Sequence, residues 1–135
     1  METQKFLSRN PETVHAPVAG YAHQIEVRGN VRWLVLSGQL GQHRDGTLSE
    51  DPAEQLTTAL ENLRLNLDAA GMTVEDVVKV TFYLVGTFDA ARRRTLVADW
   101  FGTHRPCMTL LYVSALAAPQ YRVEVDAWAC RSVEG

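Results

Sequence analysis

A chain of 135 residues, 46% hydrophobic and 21% charged, is long enough for one domain with a core of its own. Its two cysteines, Cys107 and Cys130, lack the spacing of a zinc site or a redox CxxC pair, and its formal net charge of −3 gives no footprint for a nucleic acid or an anionic membrane. With no basic stretch followed by an apolar run at its start, the chain reads as a reduced, cytoplasmic protein with one domain over 1–135 and no nucleic-acid or membrane partner.

A short first strand is expected at Lys5 to Leu7. "AHQIEVRGN" reads as a second strand, and its Gly29-Asn30 turn suits a hairpin with the next segment. That segment, Val31 to Leu36 of "VRWLVLSGQLG", is a buried strand ended by Ser37-Gly38. "SEDPAEQLTTALENLRLNLDAAGM" is a helix with Leu56, Leu60, Leu63, Leu67 and Ala70 on one stripe. Asp51 caps it, Pro52 fits its first position, Glu54 adds a first-turn carboxylate and Gly71 stops it. In "DVVKVTFYLVG", Val78, Val80, Phe82 and Leu84 share one strand face and Lys79, Thr81 and Tyr83 the other. A second helix, Asp89 to Phe101, turns Val97, Trp100 and Phe101 inward and ends near Gly102, and its Arg92-Arg93-Arg94 cluster reads as a solvated face. "MTLLYV" and "YRVEVDAWAC" close the chain as alternating strands.

This order implies an α+β fold, a single sheet with both helices on one face. The other face would carry Trp33 or Leu34, Tyr83 and Trp128, more apolar surface than a small solvated sheet shows. Burial against sister subunits is the economical expectation.

"SGQLGQHRDGTL", the long "DPAEQLTTALENLRLNLDAAGMTVEDVVKVTFYLV", "WFGTHRPCM" and "YRVEVDAWA" resemble the successive signature blocks of the reactive intermediate deaminase A family, RidA or YjgF, from about Ala16 to Ala129. The resemblance implies a chorismate-mutase-like fold, a homotrimer whose sheets form a central β-barrel, and small-molecule clefts between neighbouring subunits. Members that hydrolyse 2-imino acids have Pro-Ala-Arg before the penultimate strand, and that arginine grips the substrate carboxylate. This chain has Pro106-Cys107-Met108. A thioether carries no charge and no donor, so the expected ligand is an imine, enamine or related reactive metabolite other than the usual 2-imino acid, neutral or weakly charged. Arg94 stands where the family has an asparagine, Gly86 where it has an aspartate, and "LAAPQYRVE" is one residue longer than the usual loop.

By matching position, Glu124 is the glutamate that places the attacking water, although Arg122, Glu124 and Asp126 also suit a plain polar strand face. Tyr21 is a ligand contact or an interface tyrosine. Ser37 and Gly38 offer backbone to the ligand, and Gly38 permits close approach. With Arg94, Cys107 and Met108 they make the expected substrate-binding set. Cys107, beside His104 and Arg105, reads as a small buried hydrophobe before it reads as a nucleophile. His23 shares a face with Tyr21 and is a candidate for proton exchange or a structural donor. His15, His43 and His104 show no metal pairing, so neither metal nor cofactor is expected. A hydrolase, a noncatalytic metabolite-binding trimer and a ribonuclease therefore compete, the last disfavoured by the acidic composition.

Overall fold

The computed structural model describes residues 5–133. Two short strands, β1 (Phe6–Arg9) and β2 (Gln24–Val27), form an antiparallel ribbon. The main sheet is built from β3 (Val31–Leu40), β4 (Val77–Leu84), β5 (Cys107–Tyr112) and β6 (Val123–Ser132), with α1 (Pro52–Ala69) between β3 and β4 and α2 (Ala90–Phe101) between β4 and β5. Its strand order is β3-β6-β4-β5. β6 runs antiparallel to β3 and β4, and α2 supplies the crossover that a parallel β4–β5 pair requires.

The expected hairpin of the second and third strands does not form. Gly29 does turn the chain, with φ of +81°, but β2 pairs back onto β1 from Phe6↔Val27 to Arg9↔Gln24. β3 instead lies along β6 from Val31↔Ser132 to Leu40↔Glu124. A ten-residue partner offers a longer ladder than a four-residue one, so the non-local pairing prevails over the local turn signal. Arg9 secures the ribbon by donating to Gln24 Oε1 at 2.9 Å and to Glu26 at 2.8 Å.

α1 follows its caps. The Asp51 side chain accepts from the Ala53 N–H at 3.1 Å, Pro52 opens the helix, and Gly71, at φ +69°, takes the left-handed stop. Leu56, Leu60, Leu63 and Leu67 are buried against the sheet. From the sheet the core takes Leu34 and Leu36, Val80, Phe82 and Leu84, Met108 and Leu110, and Val123, Val125, Ala127 and Ala129. α2 adds Phe101, with Leu96, Val97 and Trp100 packed around it. At the start of β4 the alternation slips, because a register shift between Val77 and Lys79 brings Val77 rather than Val78 into the core cluster.

The opposite face is uncovered and carries an apolar stripe beside polar side chains such as Lys79 and Asp126. Trp33 is 50% exposed, Val35 57% and Trp128 49%, and the two indole rings meet edge to face with centroids 6.0 Å apart. Leu34 turns to the core, so Trp33 is the outward member of that pair.

The end of the fold carrying Lys5 is tied down by Asp76, which is only 5% exposed. Its carboxylate accepts from the Lys5 ammonium, from Arg131 at 3.1 Å and from the Thr73 N–H at 2.9 Å. Burial pushes the Asp76 carboxyl up, but these donors outweigh it and hold it below the usual carboxylate range. The stabilisation is therefore full above the unfolded-state pKa of about 3.9 and lost as pH falls through the lower folded value. Asp76→Asn should destabilise the protein by roughly 1–3 kcal/mol at neutral pH. Urea midpoints of the two proteins should converge as the medium is acidified below about pH 4, whereas a constant gap would contradict the ionic origin of the tie.

Candidate functional site

Six of the eight expected site residues fall into two groups in one chain, and His23 and Cys107 join neither. The first surrounds a cavity of about 590 Å³ at the β5 edge of the sheet, bounded by the Val18–Tyr21 segment, α2 and the beginning of β5. Tyr21, Arg94 and Met108 line it, together with Arg93 and Arg105. The segment is held there by the Ala22 N–H donating to Pro106 O at 3.1 Å, and Arg105 lies over Gly20, where a Cβ would come within 3.4 Å of its Nε. The Val18 N–H donates to the Tyr21 hydroxyl at 3.3 Å. Met108 projects to the helix side of the sheet, where it packs against the core and forms apolar cavity wall.

His23 does not line the cavity. Its ring stands 5.6 Å from Tyr21 and 5.1 Å from His15, both edge to face. Its Nε2 lies 2.6 Å from the His15 carbonyl oxygen. A nitrogen facing a carbonyl must carry the proton and donate it, and the His23 backbone N–H donates to Asn10 Oδ1 at 2.8 Å. The residue thus fastens the segment that carries Tyr21.

The second group is Ser37, Gly38 and Glu124. The β3–β6 register shifts between Leu36 and Gln39, which leaves Ser37-Gly38 as an irregularity in the ladder. Glu124, opposite Leu40 on one side and Tyr83 on the other, lies across it. A Cβ on Gly38 would sit 2.5 Å from the Glu124 carboxyl carbon, so glycine is what lets the carboxylate rest on the backbone. Among the described residues Glu124 has no hydrogen-bond or ion-pair partner, whereas Asp126, next on the same face, accepts from Tyr83 Oη at 3.0 Å. Asp126 thereby raises the phenol's pKa, and burial adds to the effect.

The frame behind Glu124 comes from α1. Gln55, wholly buried, donates to Ser49 O at 2.8 Å and Gln120 O at 3.0 Å, and accepts from the Arg122 N–H at 2.8 Å. Asn62 donates to Leu40 O and Gln42 O, both at 2.9 Å. One helix therefore pins the exit of β3 and the entry to β6. Arg122 turns aside from Glu124: its Nε donates to Val85 O at 2.8 Å, and its guanidinium fills the space beside Gly86, where a Cβ would be 2.3 Å from it.

Arg93, read from the sequence as part of a solvated face, lines the cavity, and Arg105 joins it there as a second basic group besides Arg94. A signal existed: Arg93, Val97 and Phe101 recur every four residues, as do Arg94 and Ala98, so α2 presents both rows to one place. Among the described residues no group of histidine, cysteine and acidic side chains could hold a metal, and no helix is long and apolar enough to cross a membrane.

The endoribonuclease L-PSP family model matches residues 12–131. A RutC family protein of Pyrococcus horikoshii is 32% identical over 118 residues, 86% of this chain and 90% of the relative. The 2-iminobutanoate/2-iminopropanoate deaminase of Salmonella typhimurium is 28% identical over 131 residues, 93% of this chain and 99% of the enzyme. The crystal structure of the Rid-family protein YyfB from Yersinia pestis superposes with a TM-score of 0.81 at 30% identity, over 95% of this chain and all of that one.

Cys107 and Met108 point to opposite faces of β5, as their partners Lys79 and Val80 do on β4. Burial pushes the Cys107 thiol up, only partly offset by the Lys79 charge and a hydrogen bond from the Ile25 backbone. His104 is engaged with Val77 O at 2.7 Å and Arg105 with Gly102 O at 2.7 Å. Alkylation of Cys107 by iodoacetamide near pH 8 should therefore be slower in the folded protein than in the urea-unfolded chain, followed by peptide mass analysis. Faster reaction in the folded state would restore the thiol as a candidate nucleophile.

Proposed function

The chain belongs to the endoribonuclease L-PSP family, the RidA/YjgF group, and on that footing we propose a homotrimeric hydrolase of imine or enamine metabolites, with clefts between subunits that join the two groups of residues. The observation that carries this reading is the Glu124 carboxylate, resting unpartnered on the Gly38 backbone on the sheet face that also presents Trp33, Val35 and Trp128 to solvent. Covering that apolar stripe with two further copies of the chain removes it from water and sets Glu124 at a subunit boundary. There it faces the Tyr21–Arg94–Met108 cavity of a neighbour.

In the proposed reaction Glu124 accepts a proton from water as the water oxygen bonds to the imine carbon. That proton passes to the imine nitrogen to complete a carbinolamine, and Glu124 then relays the carbinolamine's hydroxyl proton to the same nitrogen as the C–N bond breaks, so that ammonia and a carbonyl compound leave. Deamination also fits the activity for which the Salmonella relative is named. A noncatalytic carrier is the second reading, favoured by Met108 standing where the resemblance places an arginine.

Imines generated in place from amino acids by an amino-acid oxidase, with keto acid and ammonia release measured, test the proposal. A charge-assisted hydrogen bond contributes about 1.5–3 kcal/mol, so 2-iminopropionate should turn over about tenfold to hundredfold more slowly than with the Salmonella enzyme. Glu124→Gln should abolish hydrolysis of every imine accepted by the wild type. Turnover indifferent to Glu124→Gln would sink the mechanism, and binding with no turnover anywhere in the panel would leave the carrier.

A further inference from the structure

Within one chain the charges around the cavity are one-sided: among the described residues Arg93, Arg94 and Arg105 line it and no aspartate or glutamate does, and the proposed assembly adds a neighbour's Glu124 opposite them. Some other arginines of the chain are neutralised: Arg92, their neighbour on α2, pairs with Asp51 at 3.4 Å, and Arg64 pairs with Glu61 and Asp68. Among the described residues, none of the three cavity arginines is in an ion pair. Arg93 donates to the Tyr112 hydroxyl at 2.8 Å and Arg105 to backbone carbonyls, while the Arg94 guanidinium has no acceptor among the described residues. The rest of the wall is apolar, chiefly Val97, Phe101, Met108 and Leu110. Its volume of about 590 Å³ falls in the roughly 300–1,000 Å³ range of pockets that enclose drug-sized molecules. A three-carbon imino acid would leave most of it filled with water.

From this juxtaposition we infer that the site takes a 2-imino acid, or its keto acid product, with a bulky aromatic or branched apolar body, the body lying on Phe101, Met108 and Leu110 and the carboxylate held by Arg94 and Arg105. This rests on the hydrolase reading above for the imine carbon, and it replaces the expectation of a neutral or weakly charged ligand. Met108 removes the cation from the floor of the cavity and makes that floor apolar, while Arg94 and Arg105 supply cations from the helix and from the turn before β5. Guanidinium groups suit this task because they stay charged and present forked donors to a carboxylate.

Titration calorimetry with phenylpyruvate, its methyl ester and pyruvate tests the inference without requiring turnover. Phenylpyruvate should bind at least about tenfold more tightly than either of the others, each of which lacks one half of the recognition. Replacing both Arg94 and Arg105 with glutamine should remove that advantage, Arg92→Gln should leave it unchanged, and Ala98→Phe, which fills the cavity from an exposed helix position, should weaken phenylpyruvate selectively. Ester binding as tight as acid, pyruvate as tight as phenylpyruvate, or an unaffected double variant would overturn the assignment. Phenylpyruvate binding without imine hydrolysis would remove the hydrolase reading and keep the ligand class; hydrolysis confined to small imines would do the reverse.

Discussion

The main sheet carries apolar side chains on both faces, and it has helices for only one. α1 and α2 close the inner side, where the sheet residues are buried. The outer side leaves Trp33, Val35 and Trp128 about half exposed, although full burial of one large apolar side chain is worth about 1.5–3 kcal/mol. This mismatch governs the rest of the molecule. It also accounts for a site in two parts: Glu124 belongs to the uncovered outer face, while Met108 and the arginine cavity belong to the side of the helices.

Placing a carboxylate on that face requires a rigid support, which α1 provides through polar groups. Gln55 makes three hydrogen bonds while fully buried, and a Cβ at Gly41 would lie 2.4 Å from its backbone oxygen. Asn62 holds the same stretch from one face further along the helix. A satisfied buried network of this kind specifies one arrangement, since any slip leaves a buried amide unpaired. The consequence reaches the Ser37-Gly38 irregularity and so the position of the Glu124 carboxyl group.

Much of this was legible in the sequence because it is local. The caps at Asp51 and Gly71, the leucine stripe of α1 and the alternation of β4 through β6 each depend on a few neighbouring residues. The failures are non-local. Gly29-Asn30 advertised a hairpin, but β6, about a hundred residues later in the chain, won β3 as its partner. The Val77–Val78 step could not be read without the bulge that decides which valine turns inward. Arg93 reads as part of a solvated face, since nothing in the helix alone reveals that Arg105 and the Val18–Tyr21 segment close a cavity over it and Arg94. His23 was correctly placed beside Tyr21, yet the carbonyl of His15 that occupies its Nε2 could be found only in three dimensions.

The claim on which the composite site depends is that two further copies of the chain cover the Trp33–Trp128 face. Multi-angle light scattering across a dilution series from micromolar concentrations measures this directly. The account predicts a mass of three chains, without a folded monomer, throughout the range in which the protein gives its native circular dichroism. A folded single chain that persists on dilution with both indoles in water would contradict it, because Glu124 and the arginine cavity would then have no neighbour to bring them together.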